Sequence, residues 1–152
     1  MSTPRSHIVA FLPAVLLLAG CPSAQTPYSF TASSESGAAV DTAARTLAAQ
    51  GYEVGRADRQ SGIVTSKWVA YGQADANGIL VHRFTVILAP AGQGSNVTIR
   101  MDVEHCPPGG YNVGDVEVKG TCQVIDGVFP GDQKAIDALG AKLKAALTGG
   151  PS

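Results

Sequence analysis

The sequence predicts an α+β fold, a two-layer sandwich in which two helices pack on one face of an antiparallel sheet of three to four or more strands. Three observations carry this prediction. Apolar residues recur at helical spacing near both ends of the chain, apolar and polar residues alternate through its middle, and the strong hairpin pair Asn77-Gly78 separates two alternating segments. Two amphipathic helices and a one-faced sheet bury their apolar sides most economically against each other.

The N-terminal segment is built like a secretory signal. Arg5 supplies positive charge, residues 8–18 are apolar apart from Pro13, and Leu18-Ala19-Gly20-Cys21 follows. The apolar run is shorter than the roughly 20 residues of a membrane-spanning helix. The segment resembles the signal peptide and lipobox of bacterial lipoproteins, in which acyl chains such as palmitate are attached to the cysteine.

That resemblance implies that residues 1–20 are removed and that Cys21 anchors the protein in the cell envelope. Pro22 stands where an Asp favours retention in the inner membrane of enterobacteria, so the resemblance favours the outer membrane over the inner one. A plain secretory signal with a chance cysteine is the alternative.

Composition predicts one domain on a tether. Residues 21–36 are rich in Ser, Thr, Pro, Gln and Ala, which predicts a flexible tether in which Tyr28 and Phe30 can pack on the domain as a short extended piece. Residues 37–148 are predicted to form the single domain, with a disordered tail at 149–152. The net charge of −1 and the lack of any basic run disfavour a nucleic-acid partner.

The first helix is predicted over residues 37–50. Ser34 or Ser36 is expected to cap its N-terminus, and Gly51 its C-terminus. Its apolar stripe consists of Val40, Ala43, Ala44, Leu47 and Ala48.

Strands are predicted over 52–57, 63–71, 79–89 and 95–106, with turns between them. The alternation is strictest in the last two strands, which predicts one buried and one solvated face. Residues expected to point into the core are Leu80, His82, Phe84, Val86 and Leu88 from one strand and Val97, Ile99, Met101 and Val103 from the next.

Residues 107–131 are predicted to be irregular, with room for one more short strand. Asp132 is expected to cap the second helix, and Gly149-Gly150-Pro151 to end it. The apolar stripe of this helix consists of Ala135, Ile136, Leu139, Leu143 and Leu147.

A second resemblance covers about thirty residues near the first helix. Leu47, Gly51-Tyr52, Asp58, Gly62-Ile63-Val64-Thr65 and Trp68 form a pattern that resembles the helix-then-meander unit in the C lipoprotein subunit of the outer-membrane β-barrel assembly machinery. The resemblance supports the same fold class.

Two cysteines remain when Cys21 carries lipid. Cys106 and Cys122 are expected to form a disulfide, because the envelope outside the inner membrane is oxidising. In the loop-entropy account a closure of this length stabilises the fold by about 3 kcal/mol. Metal binding or a reactive thiol is the alternative, although no Cys-x-x-Cys motif is present.

Catalytic and metal signals are weak. No nucleophile, base and orienting group can be assembled, so we expect neither an enzyme nor a cofactor. A calcium loop is not predicted around Asp75-Ala76-Asn77-Gly78, because Gln73 and Phe84 would take its first and last ligand positions and neither is a carboxylate. His82 and His105 share the apolar phase of their strands, so two imidazoles and a cysteine are an alternative zinc or copper site.

Protein contact is the function that the sequence favours. Simple alternation places Trp68 with Val64 on one face of its strand and Tyr71 on the other, so one of the two aromatic rings is a candidate for the open sheet face. The alternative is that both rings pack under loops or the tether. Arg83 and Arg100 fall on the solvated phase. We therefore expect an accessory lipoprotein that binds an envelope protein through Trp68, Tyr71, Arg83 and Arg100. A small-ligand module that uses the helix–sheet interior is the alternative.

Overall fold

A computed structural model describes residues 23–73, 75–108, 110–113, 116–119 and 121–149. The predictions for the signal peptide, for lipidation of Cys21 and for a tail beyond Gly149 lie outside these residues. No helix within the described ranges is long and apolar enough to cross a membrane.

The predicted α+β class is confirmed by an open antiparallel sheet with two helices. Along the chain the elements are β1 (Tyr28–Ala32), α1 (Ser36–Ala49), β2 (Val54–Asp58), β3 (Ile63–Ser66), β4 (Val69–Ala70), β5 (Ile79–Ala91), β6 (Gly94–Cys106), β7 (Gly110–Val113), β8 (Val116–Lys119), β9 (Gln123–Val124) and α2 (Pro130–Thr148).

The sheet has the order β1-β6-β5-β3-β2. β4 pairs with β5 beyond the end of β3, and β9 pairs with β6 beyond the end of β1. The long hairpin of β5 and β6 runs in register from Ile79↔Cys106 to Ala91↔Gly94 and forms the centre of the sheet. β7 and β8 pair separately.

Both helices cover the same face of the sheet. Phe84, Val86, Val97 and Ile99 are fully buried on this face against Leu47 of α1 and Ile136 and Leu143 of α2, among others. Each such side chain contributes about 1.5–3 kcal/mol by leaving water. The opposite face of the β3–β5–β6 region carries the alternate side chains, which point away from the helices. We call it the open face.

The predicted tether is largely part of the domain, which is a correction to the boundary at residue 37. Tyr28 and Phe30 alternate onto the helix side of β1, where they pair with Ile99 and Val97 on the neighbouring strand β6. Upstream, Gln25 exchanges two hydrogen bonds with the backbone of Met101, at 2.6 and 3.2 Å. Ser23 likewise exchanges backbone hydrogen bonds with Val128. The described chain from Ser23 onward therefore belongs to the domain.

The strand predicted over 63–71 is broken at Lys67 and Trp68. The hydroxyl of Ser66 accepts a hydrogen bond from the backbone N–H of Phe84 at 3.0 Å and donates one to the carbonyl of Lys67 at 2.9 Å. A side chain thus replaces part of the backbone hydrogen-bond ladder. After the break the alternation of side chains between the two faces of the sheet is shifted by one residue, which we call the phase change. Val64 faces the helices, whereas Trp68 lies on the open face, contrary to simple alternation.

The predicted caps and the loop after β6 also differ from the structure. Glu35 precedes α1 without a side-chain cap, and Ser34 instead donates to the carbonyl of Leu147 at 3.3 Å. Asp132 lies inside the first turn of α2, where it accepts the N–H of Phe129 at 2.9 Å. Three short strands, β7, β8 and β9, occupy the segment for which one more strand was expected.

Candidate functional site

A concavity of about 620 Å³ lies on the open face. β5 and β6 form its floor through Val81, Thr85 and Asp102, while Trp68, from the break between β3 and β4, forms one side. No helix stands among its lining residues, which belong to the strands and to the segments that join them. We call this region the open-face concavity.

Asp102 organises the charged groups of the concavity. Its carboxylate accepts hydrogen bonds from Arg83 Nε at 3.0 Å and from the Thr85 hydroxyl at 2.8 Å. Arg100 Nε lies 3.2 Å from the other carboxylate oxygen. The register explains this cluster, because Arg83 stands directly opposite Asp102 and Thr85 directly opposite Arg100 on the neighbouring rung.

Trp68 fixes the position of Arg83. The guanidinium carbon lies 4.4 Å from the centroid of the Trp68 ring, which is a cation–π contact. The ring also packs against Val81, beside Ile79 and the Cys106 end of β6. Arg83 is therefore held by a carboxylate at Nε and by an aromatic face, so it loses little freedom on binding a partner group.

Cys106 and Cys122 form a disulfide at one end of the concavity. Their sulfur atoms and the carboxylate of Glu104 lie within 4.8 Å of one another, a spacing that suits metal ligands. Each sulfur is already bonded to the other, however, and only a thiolate is a good metal ligand. In the disulfide form this group has a structural role, since it joins β6 to the segment that enters β9.

Three of the four predicted contact residues meet in the concavity. Trp68, Arg83 and Arg100 all line it. Tyr71 does not, because the phase change brings it to the helix side, where its ring packs edge-on against Phe129 with centroids 5.7 Å apart. Its hydroxyl donates to Met101 Sδ at 3.4 Å. Burial and the nearby carboxylate of Asp132 raise the pKa of Tyr71.

The alternative site of two histidines and a cysteine is not assembled. His82 and His105 both face the helix side, as their phase predicts, in the register Leu80↔His105 and His82↔Val103. Successive residues of a strand point to opposite faces, so Cys106 is turned away from His105. His82 instead lies against Tyr71, with ring centroids 4.3 Å apart.

The interior proposed as an alternative ligand site is filled by side chains. Val40, Phe84 and Leu143 are fully buried in one cluster between the helices and the sheet. A second, shallower depression of about 410 Å³ lies at the sheet end, next to Tyr71, His105 and Phe129. The open-face concavity thus offers the better-formed site for contact within the described residues.

Asp102 and Thr85 are the site residues that the sequence reasoning missed. Asp102 lies on the solvated phase of β6, and that phase by itself does not indicate its partners. The signal was available in the short connection between β5 and β6. A two-residue turn at Gly92 sets the register, and the register puts Arg83 opposite Asp102.

Neither a protein-family model nor a curated protein sequence matches this chain. Among solved structures, the chain is similar to a DUF4468 family protein from Bacteroides ovatus ATCC 8483, with 8% sequence identity and a TM-score of 0.38. The likeness covers 83% of this chain and 86% of that one. At this score it says nothing about function.

Proposed function

We propose that the protein is a non-catalytic envelope lipoprotein, anchored through acyl chains on Cys21, that binds an envelope protein through the open-face concavity. One observation carries the proposal. Trp68, Arg83 and Arg100 come from three separate parts of the chain and converge on a concave side of the sheet. Tryptophan and arginine are the residue types that most often dominate the binding energy of protein interfaces.

The arrangement of these side chains supports a binding role over a structural one. The Arg100 side chain is 50% exposed and that of Arg83 is 35% exposed, although both are ion-paired. The concavity therefore presents charged groups that are held in place and still accessible. Such groups favour binding because they are already ordered in the free protein, so the complex forms without the entropic cost of ordering them.

The N-terminal contacts support a partner at the membrane. If Cys21 is lipidated, only Pro22 lies between it and Ser23, which is already paired with Val128. Two residue steps span at most about 7 Å. The domain would then lie against the lipid surface, within reach of proteins in or on the same membrane.

Cross-linking in living cells tests this proposal. The wild-type protein is compared with Trp68→Ala, with the helix-surface control Arg45→Ala and with Cys21→Ala. We expect one envelope protein to be recovered with the wild type and with Arg45→Ala, and its yield to fall about tenfold or more with Trp68→Ala, since interface tryptophans often contribute about 2 kcal/mol or more. Cys21→Ala is expected to leave the membrane fraction.

Three results would contradict the proposal. Equal recovery of the same proteins with the wild type and Trp68→Ala would remove the concavity as the contact surface. Membrane attachment that survives Cys21→Ala would remove the lipid anchor. Recovery of no protein would favour a small ligand, for which a volume of about 620 Å³ is within the ordinary range.

A further inference from the structure

We infer that the open-face concavity recognises an acidic side chain on a partly apolar peptide segment of its partner. This inference rests on the proposed function and adds the chemistry of the group that is bound. It starts from the donors of the two arginines. Arg83 Nε donates a hydrogen bond to Asp102 and Arg100 Nε is ion-paired with it, and neither guanidinium makes a further hydrogen bond or ion pair with a described residue.

The terminal nitrogens of both guanidinium groups are therefore available. A guanidinium that is held at Nε keeps its two Nη atoms, whose planar geometry matches the two oxygens of a carboxylate. Arg83 is further fixed by the face of Trp68, at 4.4 Å. Two prepositioned donors on neighbouring rungs of the β5–β6 hairpin form a cradle for one anionic group.

The local charge favours an anion at this end of the concavity. Asp102 supplies one negative charge to two arginines, so the group of three carries a net positive charge. Arg56 and Lys67, which also line the concavity, pair with Asp58 and Glu53. Glu104, on the rung next to Asp102, is the remaining charged residue of the lining, so the uncompensated positive charge is centred on Arg100, the arginine farther from Glu104.

The other end of the concavity argues against a highly charged ligand. Glu104 lies there, beside the disulfide, and makes no ion pair with any described residue. A phosphate cluster or an anionic lipid surface would meet this carboxylate and be repelled. Val81, which stands directly opposite Glu104, supplies apolar surface at this end together with Trp68 and the disulfide, which lies beyond Glu104 along β6. A peptide with one acidic side chain between apolar ones fits this combination.

Trp68 provides a direct test, because it is the only tryptophan in the chain. The protein is purified from membranes in a non-ionic detergent and titrated in low salt with an end-blocked hexapeptide that carries one glutamate among leucines. We expect a saturable change in Trp68 fluorescence. The same peptide with glutamine in place of glutamate is expected to bind at least about tenfold more weakly, as charge-assisted hydrogen bonds are lost.

A matched pair of variants assigns the effect. Arg100→Gln removes a half-exposed guanidinium while Asp102 keeps Arg83 and Thr85, so the fold is expected to survive. Arg45→Gln makes the same change of charge on α1, where Arg45 is exposed. We expect the glutamate peptide to bind Arg100→Gln about tenfold more weakly, and Arg45→Gln as it binds the wild type.

Equal binding of the glutamate and glutamine peptides would overturn the inference. So would a Trp68 response to phosphatidylglycerol vesicles without any response to the glutamate peptide. The cellular cross-link separates this inference from the proposed function. A partner that is lost with Trp68→Ala but retained with Arg100→Gln would refute acidic recognition and leave the proposed function standing.

Discussion

His82 is the residue whose environment departs most from what its strand position suggests. Its ring lies against Tyr71 on the helix side, and its Nδ1 atom is buried without a hydrogen-bond partner among the described residues. Burial lowers the pKa of His82, and the carboxylate of Asp132 offsets part of that effect. The charged form of this imidazole is therefore disfavoured in the folded protein.

We expect stability to fall with acidification from about pH 6.5, the ordinary pKa of His82. Below that pH the imidazole takes up a proton more readily in the unfolded chain than in the folded one, so the free energy of unfolding decreases as pH falls. Above that pH the contribution of His82 to stability is fully present. The lowered pKa of Asp58 acts in a separate window, below its ordinary value of 3.8. Urea unfolding at a series of pH values measures the effect.

His82→Phe keeps a ring against Tyr71 and removes the titrating group. We expect this variant to flatten the pH dependence between pH 6.5 and the acid range of Asp58. His105→Gln, at the same end of the sheet, is measured alongside as the second histidine variant. An unchanged slope in His82→Phe would show that His82 is not the group responsible.

At the scale of elements, the contact of α2 with β1 depends on one glycine. Gly140 is buried in the middle of α2, and a Cβ atom built there would overlap the ring of Tyr28. The apolar stripe of α2 predicted which face of the helix is buried. It did not predict how closely that face approaches β1, because β1 lies in a segment predicted to be a tether. Gly140 thus has a packing role that local periodicity does not reveal.

We expect Gly140→Ala to destabilise the protein by about 1–3 kcal/mol, the usual range for overpacking a tight contact. Gly131→Ala is the matched control, because a Cβ atom there meets nothing within 4 Å. This control should be neutral or stabilising by up to about 1 kcal/mol, from helix propensity. Thermal unfolding followed by circular dichroism measures both. Stabilisation by both substitutions would contradict the close packing of α2 on Tyr28.

At the scale of the whole molecule, β1 completes the domain. It pairs with β6 from Tyr28↔Ile99 to Ala32↔Ser95 and carries Tyr28 and Phe30 into the main core. Without it, β6 would present an unpaired edge and α2 would lose part of the surface on which it packs. The residues just after the predicted lipid anchor therefore belong to the folding unit.

Deletion of residues 23–32 from the Cys21→Ala form tests this. We expect the shortened protein to lose cooperative thermal unfolding, because the apolar side of β6 at Val97 and Ile99 becomes exposed. The intact Cys21→Ala form is the control and should unfold in one transition. A deletion that leaves the melting temperature unchanged would mean that these residues act only as a tether.

Part of this architecture was predictable from local pattern. Alternation in the segments that became β5 and β6 identified which side chains face the core, and the stripe around Leu47 identified α1 to within a residue or so. These predictions succeed because each helix or strand has its own side facing water and its own side facing the core. A strand half covered by helices must alternate, and a helix on a sheet must bury one stripe.

The errors have a common physical cause. The phase change at Lys67–Trp68 depends on Ser66 hydrogen bonding to Phe84, 18 residues away, and the role of residues 23–32 depends on pairing with β6, which comes more than sixty residues later. Nothing near these residues in the chain signals either contact. Trp68 and Tyr71 therefore occupy opposite faces from those that simple alternation assigns.

The sequence by itself determined the α+β class, the buried phase of the central strands and the solvated phase of Arg83 and Arg100, because these follow from periodicity within one element. The tertiary structure alone decided that Trp68 joins those arginines, that Asp102 holds both, and that Tyr71 leaves the site. Those outcomes depend on register and on long-range hydrogen bonds, which only the assembled sheet provides.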